Sequence, residues 1–318
     1  MSSSAVCTLY EGHYHFGVGA LANSLYAAGF RGTLWVGFRG ALPPWLPADA
    51  ATAAEPTFAP AAGLELRFIR LNTSTHLTNF KPDFLLDVAA RAPNAQHLLY
   101  LDPDIVVRAP WSFFEDWVDA GVAAVEDINS PLDDFHPRRA AWRRYFAPHR
   151  LTLRTRSPLY VNGGFTGLHR RDLAFLTLWQ NVQQLMAPAV GGLSAANISG
   201  GQMQFGQADP TFCFNKTDQD ALNVTLMAWD GPISLMGGDA MDFRPGGYVM
   251  SHALGGIKPW ARSYLMDLVR GYPPRLADKF FWEHAYSPIA LYASRHIKLK
   301  QVVIKVSSFV GRLYRRGS

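Results

Sequence analysis

The sequence is poor in cysteine and has no long hydrophobic run. Cys7 and Cys213 are its only cysteines, so no disulfide framework is implied and a reducing compartment is expected, with one bridge between them left open. Residues 1–11 carry no positive segment and no long apolar core, so they do not predict a signal peptide. No apolar run approaches the roughly 20 residues that span a bilayer. We therefore expect a cytoplasmic protein, or one held peripherally at the inner face of a membrane.

The composition and the pattern of apolar residues indicate a large α/β fold. The chain has 318 residues, of which 48% are hydrophobic, enough to bury a sizeable core. Apolar patterns of strand and helix type alternate, which favours a mainly parallel sheet covered by helices. Strands are predicted near residues 5–9, 33–38, 64–71, 97–101 and 122–125, and helices near residues 19–28, 82–92, 138–146, 171–185, 218–228 and 259–269. The Ala- and Pro-rich stretch 43–62 is interpreted as a surface loop.

A first signature, Asp102-Pro103-Asp104, follows the apolar stretch HLLYL at 97–101. Residues i and i+2 of a strand project to the same side, so Asp102 and Asp104 are expected to point the same way. Two carboxylates at the end of a strand suit Mn²⁺ or Mg²⁺, ions that commonly carry a pyrophosphate. The signature therefore predicts a site for a metal-bound nucleotide diphosphate.

A second signature, His252-x-x-Gly255-x-x-Lys258-Pro259-Trp260, lies far downstream. Pro259 suits the first position of a helix, so Lys258 is predicted at a helix N-terminus, where phosphate binds readily. His252 is a candidate third metal ligand. Gly255 and Gly256 would allow the backbone to approach a phosphate closely. The two signatures complement each other, because a departing diphosphate needs positive charge and directed donors.

With these motifs the chain resembles glycosyltransferase family eight, which includes lipopolysaccharide galactosyl- and glucosyltransferases and glycogenin-like enzymes. Segments 160–164 (YVNGG) and 218–223 (DQDALN) carry the resemblance between the two signatures. It implies a GT-A fold with a Rossmann-like sheet in residues 1–285, followed by a basic tail in 286–318. It also implies retaining, Mn²⁺-dependent transfer of a hexose, galactose or glucose, from a UDP-sugar to a saccharide or lipid-linked saccharide.

The resemblance also implies roles for single residues. Asp102, Asp104 and His252 would bind the metal, and Gln219 and Asp218 would act at the donor sugar, Gln219 by stabilising positive charge at the anomeric carbon. The remaining positions implied to contact the donor are Leu9, Tyr10, Glu11, Tyr14, Lys81, Pro103, Asn162, Gly163, Gly255, Gly256 and Lys258.

Several of these positions have simpler interpretations. Tyr10 and Tyr14 either stack on a base or pack within a loop, and Lys81 either meets the donor or is an exposed lysine. Thr217 and Asp220 have the spacing of a capping box. Asp127 either faces the cleft or caps a loop.

The acceptor has two candidate sites in the sequence. One is the basic stretch 136–144, whose arginines would favour an anionic acceptor or simply form a solvated helix face. The other is the Gly-rich stretch 191–206, since long loops often bind substrate. The arginines concerned are Arg138, Arg139, Arg143 and Arg144.

The net charge of +5 is concentrated in the tail, where residues 297–318 hold six basic and no acidic side chains. At helical spacing one face is apolar, which is typical of a helix on an anionic membrane surface. The members of that face are Val302, Val303, Val306, Phe309, Val310 and Leu313. Ile304 interrupts the polar face, and a last helix that docks on the core is the alternative. No nucleic-acid motif accompanies the basic run.

Two rival functions fit parts of the sequence. Residues 101–106 also match the nucleophile motif of haloacid dehalogenase-type phosphatases, with Asp102 attacking phosphorus and Asp104 as acid/base. Residues 238–242 loosely match the later acidic motif of those enzymes. That interpretation leaves Lys258 and Trp260 unexplained. A sugar-nucleotide-binding protein without turnover is the other alternative.

Overall fold

The structure is a computed structural model that describes residues 3–196, 213–247 and 249–314. Its strands are β1 Ser4–Glu11, β2 Gly32–Arg39, β3 Thr57–Ala61, β4 Leu64–Arg70, β5 His97–Leu101, β6 Ile105–Val107, β7 Val122–Val125, β8 Phe165–His169, β9 Ile233–Met236 and β10 Met250–His252. Its helices are α1 His15–Ala27, α2 Ala48–Ala51, α3 Lys81–Arg91, α4 Trp111–Asp119, α5 Pro137–Phe146, α6 Ala174–Met186, α7 Thr217–Ala228, α8 Tyr264–Val269, α9 Leu276–Glu283 and α10 Ser294–Tyr314.

Eight strands form one sheet in the order β3-β4-β2-β1-β5-β8-β7-β9. Strands β4, β2, β1, β5, β7 and β9 run in one direction, because β8 pairs antiparallel with both β5 and β7. Only β3 and β8 oppose them within this sheet. The predicted α/β class, a mainly parallel sheet with flanking helices, is confirmed.

A hydrophobic core lies on each face of the sheet. The alternation of β1 divides its side chains, so that Val6 enters one core while Cys7 and Leu9 enter the other. Helices α1, α4, α9 and α10 cover the first face. Helices α3, α5, α6 and α7 cover the second. Both cysteines, Cys7 and Cys213, are buried as free thiols.

Two local predictions were wrong. The stretch 43–62 is more than a surface loop, because it contains α2 and the edge strand β3. The predicted helix 259–269 is interrupted: Pro259–Ala261 is a single 3-10 turn, Arg262 is extended, and α8 begins only at Tyr264. The break is stabilised by the Tyr264 hydroxyl, which donates to the Pro259 carbonyl at 2.8 Å.

The short strands β6 and β10 form a separate antiparallel ribbon. Each has three residues, too few to produce an alternating pattern, and the sequence did not predict either of them. The ribbon joins residues 105–107 to residues 250–252 and thereby connects the two signatures.

Helix α10 packs on the core through its least expected residue. Ile304, which interrupted the predicted polar face, is 3% exposed and enters the first core together with Ile297. Most of the predicted apolar face points outward instead, with Val302, Val306 and Phe309 each more than half exposed, whereas Val303 packs against the core. The docked-helix alternative therefore holds for Ile304, and the division of the chain at residue 285 stays a prediction.

Candidate functional site

A cleft of about 500 Å³ opens where β1, β5 and β7 end. This is the edge of the sheet where open α/β folds bind ligands. Of the residues that the resemblance implied to hold the metal or the donor, Lys81 alone is not part of the lining. The candidates that line the cleft are Leu9, Tyr10, Glu11, Tyr14, Asp102, Pro103, Asp104, Asn162, Gly163, Asp218, Gln219, His252, Gly255, Gly256 and Lys258, with Asp127 beside them.

The two signatures meet at a group of three metal-ligating side chains. Asp102, Asp104 and His252 each offer a ligand atom, and these atoms lie within 4.8 Å of one another. His252 Nε2 is 3.3 Å from Asp104 Oδ1 and 3.9 Å from Asp102 Oδ2. His252 reaches this position because it pairs with Ile105 across the ribbon.

The two aspartates converge for a different reason from the one predicted. Strand β5 ends at Leu101, and Asp102 to Asp104 form a turn closed by a hydrogen bond from Ile105 N to Asp102 O. Helix α1 passes directly behind that turn. A Cβ atom on Gly17 would lie 2.3 Å from the Pro103 carbonyl oxygen, so only glycine allows this close approach.

This group fits a divalent metal ion. Hard carboxylate oxygens with one imidazole are a usual donor set for Mn²⁺ and are compatible with Mg²⁺. Asp104 is buried, yet the pKa of its carboxyl is lowered: burial alone would raise it, and nearby His252 and Lys258 outweigh that effect. His252 Nδ1 is buried and has no hydrogen-bond partner among the described residues.

Lys258 bonds directly to the metal-ligating group. Its ammonium lies 2.5 Å from Asp104 Oδ2 and donates to the Ala253 carbonyl at 2.8 Å. The pKa of Lys258 is raised: burial would lower it, but the Asp104 carboxylate more than compensates. Lys258 was predicted at the start of a long helix, and that context was wrong, since only a 3-10 turn follows it.

Lys81 lies beneath the cleft, and the alternative that it is an exposed lysine was wrong. It is 1% exposed, and its ammonium donates to the Gly163 carbonyl at 2.7 Å. It also lies 3.2 Å from Asp102 Oδ1 and 3.3 Å from Asp218 Oδ2. Burial would lower its pKa, but the two carboxylates raise it above the ordinary value. Lys81 therefore links Asp102 to Asp218 beneath the cleft.

The wall of the cleft beside Asp218 is built from hydrogen-bonded amides. Asn162 donates to Asp127 Oδ2 at 2.7 Å and accepts from Gly164 N at 2.8 Å. Gln219 Oε1 accepts from Gly163 N at 3.2 Å, whereas its buried Nε2 has no partner among the described residues. An unsatisfied buried donor that lines a cleft is a group available to a ligand.

The proposed capping box at the start of α7 is only half formed. Thr217 is the first helical residue, and its hydroxyl has no partner among the described residues, so it is not the N-cap. Asp220 does take its expected role, since its Oδ2 accepts from Lys216 N at 2.8 Å. Burial raises the pKa of Asp220 to about 6. Asp218 and Gln219, at the start of the same helix, are left to line the cleft.

Tyr10 and Tyr14, the two tyrosines that follow from β1 into the cleft, differ in exposure. The Tyr10 ring stacks on Phe38 with centroids 5.9 Å apart and is 1% exposed, so ordinary packing accounts for it. Tyr14 is 36% exposed, and Lys258 Nζ lies 5.7 Å from its ring centroid. Glu11 forms an ion pair of 2.8 Å with Arg39. Tyr14 is therefore the more accessible of the two aromatic side chains.

The arginines proposed for the acceptor do not line the cleft. Arg139 is 3% exposed and donates to the Ser157 and Leu159 carbonyls, which is a structural role. Arg143 pairs with Asp134. Of the second candidate, residues 191–206, only 191–196 belong to the described residues.

Sequence reasoning missed several lining residues. Tyr100 donates to Asp102 Oδ1 at 2.8 Å. Its position two residues before Asp102, near the end of a buried strand, was a signal that the two side chains point the same way. His76 and Leu254 also line the cleft. They lie in irregular segments, where no periodicity marks them.

Fold and site together define an α/β protein with a cleft at the carboxyl ends of its strands, in which three side chains could hold a metal ion. No family model matches the chain. No curated protein matches it either.

Solved structures similar to it include the galactosyltransferase LgtC in complex with donor and acceptor sugar analogs, with 17% identity over 93% of this chain and 99% of that one and a TM-score of 0.49. An active-site mutant of LgtC gives 16% identity, the same coverage and a TM-score of 0.49. The glycosyltransferase GlyE from Streptococcus pneumoniae TIGR4 gives 15% identity over 98% of this chain and 64% of that one, with a TM-score of 0.48. These sequence identities and TM-scores are low, and the proposed function rests on the geometry of the site itself.

Proposed function

We propose that the protein is a metal-dependent glycosyltransferase that uses a nucleoside diphosphate sugar, with a UDP-hexose as the donor and Mn²⁺ as the ion. The charge balance of the cleft supports this proposal. Glu11 also lines the cleft but is paired with Arg39, which leaves four aspartates against three lysines in the cleft and its floor: Asp102, Asp104, Asp127 and Asp218 against Lys81, Lys216 and Lys258. A diphosphate entering alone would meet a surplus of negative charge, whereas a divalent ion at the paired carboxylates reverses that balance.

Each part of a donor has a partner of suitable chemistry in the cleft. Lys258 is the cation for the diphosphate, and Gly255, with φ of +91°, exposes backbone beside it. Tyr14 offers an accessible ring for the base. Asp218 and Gln219 face the hexose hydroxyls. We propose that Asn162, fixed by Asp127, shapes the wall of the sugar subsite.

We propose that transfer proceeds with retention, and the same arrangement supports it. When bound, the metal ion would neutralise charge on the departing diphosphate. Lys258 stabilises the same charge by a direct ion pair. Gln219, held by the Gly163 amide, lies where it can stabilise positive charge at the anomeric carbon through the second lone pair of its Oε1. The departing phosphate oxygen accepts the proton of the acceptor hydroxyl, so no basic side chain is required.

Calorimetric titration of the purified protein with UDP and a panel of UDP-sugars, with and without Mn²⁺, tests this proposal. We expect UDP to bind only when Mn²⁺ is present, and one UDP-sugar to be hydrolysed slowly. Hydrolysis would exclude a protein that binds sugar nucleotides without turnover. Absence of UDP binding with Mn²⁺ would contradict the proposed function.

The phosphatase alternative is not favoured by the geometry. Its acidic motif would have to lie beside Asp102, but neither Asp239 nor Asp242 lines the cleft. Asp242 is instead paired with Arg108 at 3.4 Å. Asp102 already accepts a hydrogen bond from Tyr100 and an ion pair from Lys81, which leaves it a poor nucleophile.

We propose further that the outer face of α10 rests on an anionic membrane at its inner, cytosolic surface and that the acceptor is a lipid-linked saccharide. None of the helices in the described part of the chain combines the length and apolar character that a membrane crossing needs. Along α10, Leu299, Val302, Val306, Phe309 and Leu313 are 52–66% exposed. Helix α8 packs against α10 and adds three exposed apolar side chains, namely Leu265, Met266 and Val269.

Basic side chains accompany this apolar face, as interfacial binding requires. Lys298, Lys305 and Arg312 are exposed along α10. Two further tail arginines, Arg315 and Arg316, lie outside the described residues. The combination matches a surface that inserts apolar side chains between anionic headgroups.

Replacing Val302 and Phe309 together by serine is expected to weaken binding to vesicles containing anionic lipid by about 10-fold or more, because two exposed apolar side chains leave the interface. Deleting the whole helix is a poorer test, since Ile297 and Ile304 belong to the core. Co-sedimentation with phosphatidylglycerol vesicles measures the effect. Donor binding should not change, and undiminished vesicle binding would contradict the membrane proposal.

A further inference from the structure

A second group of metal-ligating side chains lies at the opposite end of β5, roughly 16 Å from Asp102 at the usual rise of a strand. His97 is the first residue of β5 and His169 the last of β8. The two residues are paired directly across the antiparallel ladder, so their side chains share one face of the sheet. Asp119 ends α4, which packs on both strands.

The three side chains converge as closely as those of the cleft. One ligand atom from each of His97, Asp119 and His169 lies within 4.8 Å of the others. His97 Nε2 is 3.0 Å from Asp119 Oδ1. The two imidazole rings are 5.6 Å apart at an angle of 74°. No catalytic role is assigned to any of them above.

Neighbouring hydroxyls determine where His97 carries its proton. The hydroxyls of Ser3 and Ser4 both donate to Glu115 Oε1, at 2.9 and 2.5 Å. Each hydroxyl oxygen also lies 3.4 Å from His97 Nδ1 and, with its own hydrogen directed at Glu115, acts there as an acceptor. Nδ1 therefore carries hydrogen, and the Nε2 lone pair of a neutral His97 faces the Asp119 carboxylate. Two such acceptors 3.0 Å apart repel each other unless a cation, either a proton or a metal ion, lies between them.

We propose that His97, His169 and Asp119 form a second metal site, suited to Zn²⁺ and separate from the cleft. Two imidazoles and one carboxylate are a usual zinc donor set, with water as the fourth ligand. The chain His97–Ser–Glu115 is the outer hydrogen-bond shell that orients a zinc-binding histidine. Asp119 is half exposed, which gives an ion and a water molecule access from solvent.

His169 is the ligand that must adjust. Its Nδ1 accepts from Arg171 N at 3.0 Å, so its ring has to give up that bond when it turns to the ion. Zinc would then join β5, β8 and the end of α4, and its effect would be on stability rather than on turnover.

Zinc titration tests this site in a protein whose cleft is disabled. The Asp104→Asn variant is titrated with Zn²⁺ by calorimetry at pH 7.5, and its unfolding midpoint is measured with and without the ion. We expect one equivalent to bind and to raise the midpoint, since an ion that binds only the folded state stabilises it. Adding His169→Gln should remove both effects, whereas adding His149→Gln, an exposed histidine elsewhere, should remove neither.

Asp119→Asn provides a second test that does not depend on the folding of the His169 variant, because Asp119 is half exposed. It too should lose the equivalent of zinc. The second site does not exist if the Asp104→Asn protein binds no zinc. It does not exist either if zinc still binds after His169→Gln and after Asp119→Asn. This result is independent of donor binding, so the proposal can fail while the proposed function stands.

Discussion

Replacing Asp104 by asparagine is expected to lower Mn²⁺-dependent binding of UDP by at least about 100-fold. Removal of an outer-shell partner alone costs ~10–100-fold in metal affinity, and a direct ligand carries more. The Asp104 side chain is 5% exposed and bonded to both His252 and Lys258. Because asparagine and aspartate have nearly the same volume, the substitution changes the charge and almost nothing else in the packing. Calorimetric titration of UDP against Mn²⁺-loaded protein measures the loss.

The matched control is Asp116→Asn on the exposed side of α4, which should bind UDP as the wild type does. The substitution removes the carboxylate that faces the Lys258 ammonium, so the unfolding midpoint of Asp104→Asn is measured alongside; a cooperative transition above the assay temperature would show that the loss of UDP binding is not a loss of fold. If the variant binds UDP with unaltered dependence on Mn²⁺, Asp104 is not a ligand of the metal ion.

The second large effect is on stability. Lys81→Met should lower the free energy of unfolding by about 3 kcal/mol, since removing one partner of a buried ion pair leaves charge without compensation. Here two carboxylates, those of Asp102 and Asp218, lose the same ammonium. The folded pKa of Lys81 lies above its ordinary value of 10.5, so its contribution is fully present below that pH and is lost only as the pH rises further.

Denaturant unfolding at several pH values measures this effect. The difference between wild type and variant should be constant from about pH 6 to 9 and should shrink only as the pH rises above the ordinary lysine pKa of 10.5. Lys298→Met on the exposed face of α10 is the control and should cost almost nothing. Equal stability of Lys81→Met and wild type would show that Lys81 is not needed to balance the two carboxylates.

Local patterns in the sequence predicted β5 and β7 with their observed bounds. Most of the residues that line the cleft were instead implied by the family resemblance, and Tyr100, His76 and Leu254 were missed. Contacts between distant segments could not be predicted from local sequence patterns. Lys81 is buried because Gly163 and Asp218, 82 and 137 positions away, supply its acceptors. His252 meets Asp104 through a ribbon of two three-residue strands, and strands that short leave no periodic trace.

Helix α10 shows the same limit for packing. A helical wheel places Val302 and Phe309 together correctly, but it cannot tell which face meets the rest of the protein. The core selected Ile297 and Ile304, because those side chains reach the covered face of the sheet. The apolar stripe was thus correctly grouped, and its direction was set by tertiary structure.

The close contact of Gly17 with Pro103 lowers the entropic cost of binding a metal ion. With backbone packed directly on backbone, the turn that carries Asp102 and Asp104 has no room to collapse toward α1. Its conformational entropy is therefore lost when the chain folds and not when the ion arrives, which is the advantage of preorganisation. A position with no side chain, on a helix that supplies no ligand, thereby contributes to the affinity of the metal site.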